Sequence, residues 1–172
     1  MDTVIKNGGM APGFELNDLS GQPHSLEKYR GKVVVLNFWS AECIWTQRAD
    51  EIMLPMLEEW GDEVVLLSIA SNANEELEDL VKVKREHGIP LVLHDARQEV
   101  AKRYSAITTP HVFVIDQEGV LRYQGAFDDV TFRQPEPTRN YLFEAVERVL
   151  AGERPEPAEM PSYGCTVVYH QI

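Results

Sequence analysis

The stretch Val33-Val34-Val35-Leu36-Asn37-Phe38-Trp39-Ser40-Ala41-Glu42-Cys43-Ile44-Trp45-Thr46 decides how the chain is read. Four apolar residues run into Asn37-Phe38-Trp39 without alternation, the pattern of a strand covered on both faces. The polar break Ser40-Ala41-Glu42 then delivers Cys43 to the start of a helical pattern. That helix is read from Ile52, Met53, Met56, Leu57 and Trp60, spaced by three and four as one stripe. Cys43 is thereby expected where a buried strand ends and a helix begins. Unpaired N–H groups and the positive end of the helix dipole favour a thiolate there, the reactive form of cysteine. Glu42 opposes this, because a neighbouring carboxylate disfavours a second negative charge. Arg48 is the cation expected to fold back towards the sulfur.

Composition sets broad limits. The chain has 172 residues, 44% of them hydrophobic and 26% charged, as in ordinary globular proteins, and is most simply one domain. A formal charge of −12 argues against a nucleic acid or an anionic membrane surface as partner. Two cysteines exclude a disulfide-dense scaffold, and the five histidines have no ligand spacing, so neither a metal nor another cofactor is expected. The N-terminus has no apolar segment of signal-peptide length and no run reaches membrane-spanning length, so the expected location is cytoplasmic.

Working outward, Ala11 to Asp18 alternates and closes in a turn at Ser20-Gly21. Ser25 to Gly31 reads as a capped helical turn. Glu63–Ala70 is a second apolar strand. Ser71-Asn72-Ala73-Asn74 is expected to cap a helix running to His87, with Leu77, Leu80 and Val81 inward. Short strands follow at Ile89–Asp95 and Val112–Asp116, with a helix from about Glu99 to Tyr104 between them. A returning hairpin strand covers Val120–Gly125. The last helix is read over Thr138 to Leu150. This β-α-β-α order is the crossover pattern of an α/β domain. The core is expected over about 10–151, with a Pro-rich extended tail over 152–172.

Asn37-Phe38-Trp39-Ser40-x-x-Cys43 resembles the active-site entry of the thioredoxin superfamily, especially its TlpA-like and AhpC/TSA (peroxiredoxin-like) branches. The usual Cys-x-x-Cys reads here as Cys43-Ile44-Trp45-Thr46, without the second cysteine, whereas Ser40-x-x-Cys43 fits the peroxiredoxin Thr/Ser-x-x-Cys. Ala11-Pro12-Gly13-Phe14 resembles the family's opening with Gly13 in place of Asp. Thr109-Pro110 before an apolar strand resembles the Thr-cisPro loop, and Tyr163-Gly164-Cys165-Thr166-Val167 resembles the ending of a peroxiredoxin-like subgroup.

The resemblance implies a thioredoxin fold, a mixed sheet with helices on both faces. It implies Cys43 as nucleophile towards a peroxide or a disulfide, and Thr46 as a hydrogen-bond donor to its thiolate. Substrate is expected to rest on Trp39, Trp45, Thr109 and Pro110. Cys165 is either a buried spectator or the thiol that resolves oxidised Cys43, within one chain or across a homodimer, with a thioredoxin-type protein as reductant. Asn37 stands where thioredoxins bury a proton-shuttling Asp. Pro110 stands near the peroxiredoxin peroxide-holding Arg, so peroxidase and disulfide exchange both remain open. The competing class is a non-catalytic module that holds a partner at the Pro110 ledge.

Overall fold

Residues 5–171 are described by the computed structural model. The apolar run forms the centre of the fold as β3 (Val33–Trp39), in which every residue is buried. It pairs in parallel with β4 (Val64–Ala70) and antiparallel with β7 (Val112–Ile115). The remaining strands are β1 (Glu15–Asp18), β2 (Pro23–Ser25), β5 (Val92–His94), β8 (Leu121–Gly125) and β9 (Glu159–Met160). They complete an eight-stranded mixed sheet in the order β2-β1-β5-β4-β3-β7-β8-β9. A separate small ladder joins β6 (Thr108–Thr109) to β10 (Cys165–Thr166).

Alternation along β3 sorts its side chains to opposite faces. Val33 and Val35 pack with α1 (Ile44–Trp60) and α4 (Tyr141–Leu150), while Val34, Leu36 and Phe38 face α3 (Glu99–Arg103) and the N-terminal stretch. Trp39 joins Ala70 and Leu80 under α2 (Leu77–His87). Burying each such aliphatic side chain contributes about 1.5–3 kcal/mol, which holds the strand end that presents Cys43.

Several expectations change. The buried side of α1 carries Thr46, Ala49, Asp50, Met53 and Trp60, whereas Ile52 is exposed. Leu77 and Val81 are exposed too, and Leu80 alone of the expected α2 stripe is buried. Asn74 does not cap α2, which starts after Glu76 with no side-chain cap bond. Helix α4 begins at Tyr141, later than expected, because the Asn140 side chain accepts from the Phe143 N–H and caps it.

The largest correction concerns the expected tail. Its backbone is extended, yet it is a strap laid on the body of the protein. Strand β9 extends the main sheet beside β8, β10 pairs with β6, and the Val167 N–H donates to the Ile107 carbonyl.

Candidate active site at the Cys43–Cys165 disulfide

Cys43 is the N-cap of α1, 4% exposed, at the end of the loop leaving β3. Its sulfur is bonded to that of Cys165, with Cα atoms 6.2 Å apart, inside the range a disulfide spans without backbone movement. The pairing follows from the strap. Cys165 lies opposite Thr109 and Thr166 opposite Thr108, antiparallel, so the backbone carries the second sulfur to the first. Gly164 permits this approach, since a Cβ there would collide with the Thr109 carbonyl oxygen.

The Thr109–Pro110 bond is cis, in the loop beside the sulfurs. Cys43 Sγ lies 3.1 Å from the Thr109 carbonyl oxygen, a contact without a proton while the sulfur is oxidised. Once Cys43 is reduced, its S–H can donate to that oxygen. The helix N-terminus favours the thiolate and the carbonyl favours the thiol.

The other expected site residues separate into those near the sulfurs and those elsewhere. Trp45 is half-buried and meets Tyr163 of the strap edge-on, with ring centroids 5.0 Å apart. The Phe132 N–H donates to Tyr163 Oη over 2.8 Å, which seats that ring. Trp39 is not a substrate-facing residue: it is 1% exposed, and its Nε1–H donates to Asp50 Oδ2 over 2.8 Å. Thr46 is fully buried, and its hydroxyl makes no protein hydrogen bond while Cys43 is in the disulfide. Arg48 pairs with Asp128 at 2.7 Å, and no bond from it to either sulfur is present.

A polar layer lies under the first turns of α1. Asn37 and Ser68 are buried, stand opposite each other across β3 and β4, and have side-chain atoms without protein partners. Asp50 Oδ1 is in the same condition. Burial pushes the Asp50 carboxyl up to about 7 from an ordinary 3.8, against the Trp39 hydrogen bond that lowers it. His111, next to Pro110, is lowered to about 4 by burial, and its Nδ1 accepts the Ile107 N–H at 3.3 Å.

A second polar network flanks the sulfurs. Glu75 accepts from Ser40 Oγ at 2.7 Å, from the Ala41 N–H at 2.6 Å and from Asn72 Nδ2 at 2.6 Å. Gln98, fully buried at φ 61°, donates to the Ser71 and Val168 carbonyls and accepts the His170 N–H. None of Glu75, Gln98 or Asp50 stood out in the sequence, while Asn72 was read only as part of a helix cap and Tyr163 only as part of the family-like ending. Gly164 beside Cys165 was the one local sign that the strap approaches another backbone closely. Among the described residues no three His, Cys, Asp or Glu side chains form a metal-binding group, and no helix is long and apolar enough to cross a membrane.

The chain is similar to known proteins. The AhpC/TSA family model matches residues 7–124. The thiol-disulfide oxidoreductase ResA of Geobacillus thermodenitrificans is 33% identical over 125 residues, covering 70% of this chain and 69% of that protein. The crystal structure of hypothetical protein SMc02350 from Sinorhizobium meliloti 1021 superposes with a TM-score of 0.88 at 28% identity. That match takes in 99% of this chain and 98% of the other, so it includes the strap. The thioredoxin domain of thiol-disulfide oxidoreductase BVU-2223 from Bacteroides vulgatus superposes with a TM-score of 0.63 at 23% identity, over 76% of this chain and 93% of that one, and shows the thioredoxin fold. With more than half of its length matched by the family model and a 33% identical relative over two thirds of the sequence, the chain belongs to the AhpC/TSA family of thioredoxin-fold proteins.

Proposed function

We propose that the protein is a thiol-disulfide oxidoreductase whose working couple is Cys43 and Cys165. The observation that carries this reading is the bond between the two sulfurs across the β6–β10 ladder. The likeness to a relative named thiol-disulfide oxidoreductase supports it. Thr46 leaves α1 without a second motif cysteine, and Cys165 supplies the missing thiol from the strap.

Of the two sulfurs, Cys165 belongs to the more exposed residue and Cys43 is buried. A substrate thiolate therefore attacks Cys165 Sγ, forming a mixed disulfide and releasing Cys43 as the leaving thiolate at the N-terminus of α1. The second substrate thiolate attacks its own sulfur in the mixed disulfide and expels Cys165. The substrate leaves oxidised by two electrons, both protein thiols are reduced, and the two substrate protons pass to them or to solvent. Run backwards, the same steps reduce a substrate disulfide. A peroxide is the other electrophile that fits the couple: reduced Cys43 takes one oxygen to become a sulfenic acid, water or an alcohol leaves, and Cys165 condenses with the sulfenate to release water.

Oxidised wild type is mixed with a dithiol peptide, and peptide oxidation is followed beside that given by Cys165→Ser and Cys43→Ser. Stoichiometric oxidation by wild type alone is expected. A parallel reaction of the reduced proteins with hydrogen peroxide, with and without a thioredoxin system, separates the two electrophiles. If wild type neither oxidises the peptide nor recovers the Cys43–Cys165 bond after reduction and reoxidation, the couple is not the working one.

A further inference from the structure

Each sulfur lies three residues from a tether, and the tethers meet. On one side, Ser40 is three residues before Cys43, and its hydroxyl donates to Glu75 Oε2 at 2.7 Å while the Ala41 N–H donates to Oε1 at 2.6 Å. Ser40 Oγ also accepts the Glu42 N–H at 3.2 Å, closing the turn that leads to Cys43. On the other side, Val168 is three residues after Cys165. Its N–H donates to Asn72 Oδ1 at 2.9 Å, and its carbonyl accepts from the Ala73 N–H at 2.8 Å. Asn72 Nδ2 donates to the same Glu75 Oε2 at 2.6 Å.

We propose that Glu75 is a positioning residue for the redox pair: one carboxylate ties the loop that presents Cys43 to the segment that anchors the strap bearing Cys165. The assignment rests on the thiol-disulfide reading of the site and adds a residue to it. The chemistry suits the task. A carboxylate is acceptor-only and can take several donors at once, and here it takes three, from a hydroxyl, a backbone N–H and an amide. Glu75 is 9% exposed, so these bonds compete little with water. The Asn72 amide has to face both ways, its nitrogen towards Glu75 and its oxygen towards the Val168 N–H, which fixes its orientation. Gln98 and the Tyr169 hydroxyl, which donates to the Ala106 carbonyl, hold the strap beyond Val168, so the pull of Glu75 acts on a segment already seated.

A clamp of this kind acts on the equilibrium between dithiol and disulfide, because it raises the effective concentration of one thiol at the other. A contribution to folding alone stabilises reduced and oxidised forms equally and leaves that equilibrium unmoved. The experiment measures the Cys43–Cys165 equilibrium constant against a glutathione buffer of known ratio, in the full chain, by trapping thiols with acid and mapping peptides. Variants are Glu75→Ala, Glu75→Gln, Asn72→Ala and Asn72→Asp, with thermal melts of each reduced protein beside them.

Expected is a fall of about tenfold or more in the constant for Glu75→Ala, as losing hydrogen bonds to a charged acceptor implies. Glu75→Gln keeps one carbonyl acceptor but turns a donor on Asn72 or Ser40, so its constant lies between those of Glu75→Ala and wild type. Asn72→Asp places a second carboxylate against Glu75 and is expected to fall below Asn72→Ala at neutral pH. A wild type that forms no Cys43–Cys165 bond at any glutathione ratio defeats the thiol-disulfide reading itself. A wild type that forms it while folded Glu75→Ala and Asn72→Asp keep the same constant within twofold defeats the clamp alone. If Glu75→Ala fails to fold, the Asn72 pair and Glu75→Gln decide.

Discussion

Cys165 lies directly opposite Thr109 in an antiparallel pair, so the strand carrying the second sulfur occupies the backbone edge just before Pro110. In the oxidised protein that edge is already filled, by the chain's own strap.

Gly164 makes this arrangement sterically allowed. Its φ is not in the left-handed region; what excludes a side chain is the Thr109 carbonyl and the Pro110 ring. Gly164→Ala is expected to push the strap off β6 and to lower the Cys43–Cys165 equilibrium constant by tenfold or more, in line with overpacking costs of about 1–3 kcal/mol. Glutathione titration checks it, and an unchanged constant removes the close-approach argument.

Reduction by itself should leave the strap docked. Val167, Val168, Tyr169 and His170 hold it by hydrogen bonds that do not involve sulfur. Amide exchange at Val167, Val168 and His170 is expected to remain slow in the dithiol form. Exchange at unprotected rates after reduction would mean that the disulfide alone retains the strap.

Thr46→Cys places a thiol one helical turn beyond Cys43, in a fully buried position whose hydroxyl has no protein partner. Removing that orphan hydroxyl is expected to stabilise the form holding the Cys43–Cys165 disulfide by up to about 1 kcal/mol. The new thiol should also compete with Cys165 for Cys43. Peptide mapping after oxidation would show both disulfides, and exclusive Cys43–Cys165 pairing would contradict the expectation.

Two buried groups give opposite pH slopes. Asp50 has its folded value raised by burial to about 7, so its contribution is complete below the ordinary 3.8 and is lost as pH rises through about 7. His111 has its folded value lowered by burial to about 4, so its contribution is present above 6.5 and is lost as pH falls towards 4. Asp50→Asn keeps an acceptor for the Trp39 Nε1–H and removes the charge. Urea unfolding should find the variant gaining on wild type between pH 5 and pH 8, with a full linkage effect on the order of 4 kcal/mol. A gap between the two proteins that does not change over that range would show that Asp50 does not titrate there.

How much of this was legible from the residues follows the range of the interactions involved. Val33–Trp39 declared itself as a buried strand because its apolar run is local, and Cys43 declared itself at a helix start because the change of pattern is local too. Thr109-Pro110 before Val112–Ile115 was readable through its resemblance to the Thr-cisPro loop, which is carried by adjacent residues. The helix faces were read less well. Ile52, Leu77 and Val81 have the right spacing, yet which stripe turns inward depends on what packs against the helix, and α1 buries the polar Thr46 and Asp50 beside the expected Met53 and Trp60. Cys165, Glu75, Asn72 and Gln98 mark the limit. In the sequence Cys165 is either a spectator or the thiol that resolves Cys43, with nothing local to choose between them, and the other three are ordinary polar residues near helix starts; the disulfide decides the first question. Their roles exist only when the strap returns across the body and its backbone groups, buried there, require partners. The sequence alone determined where the first sulfur stands and on what strand. The meeting of that sulfur with the second was decided by a β ladder between segments far apart in the chain, and by a buried carboxylate that bonds to both sides of it.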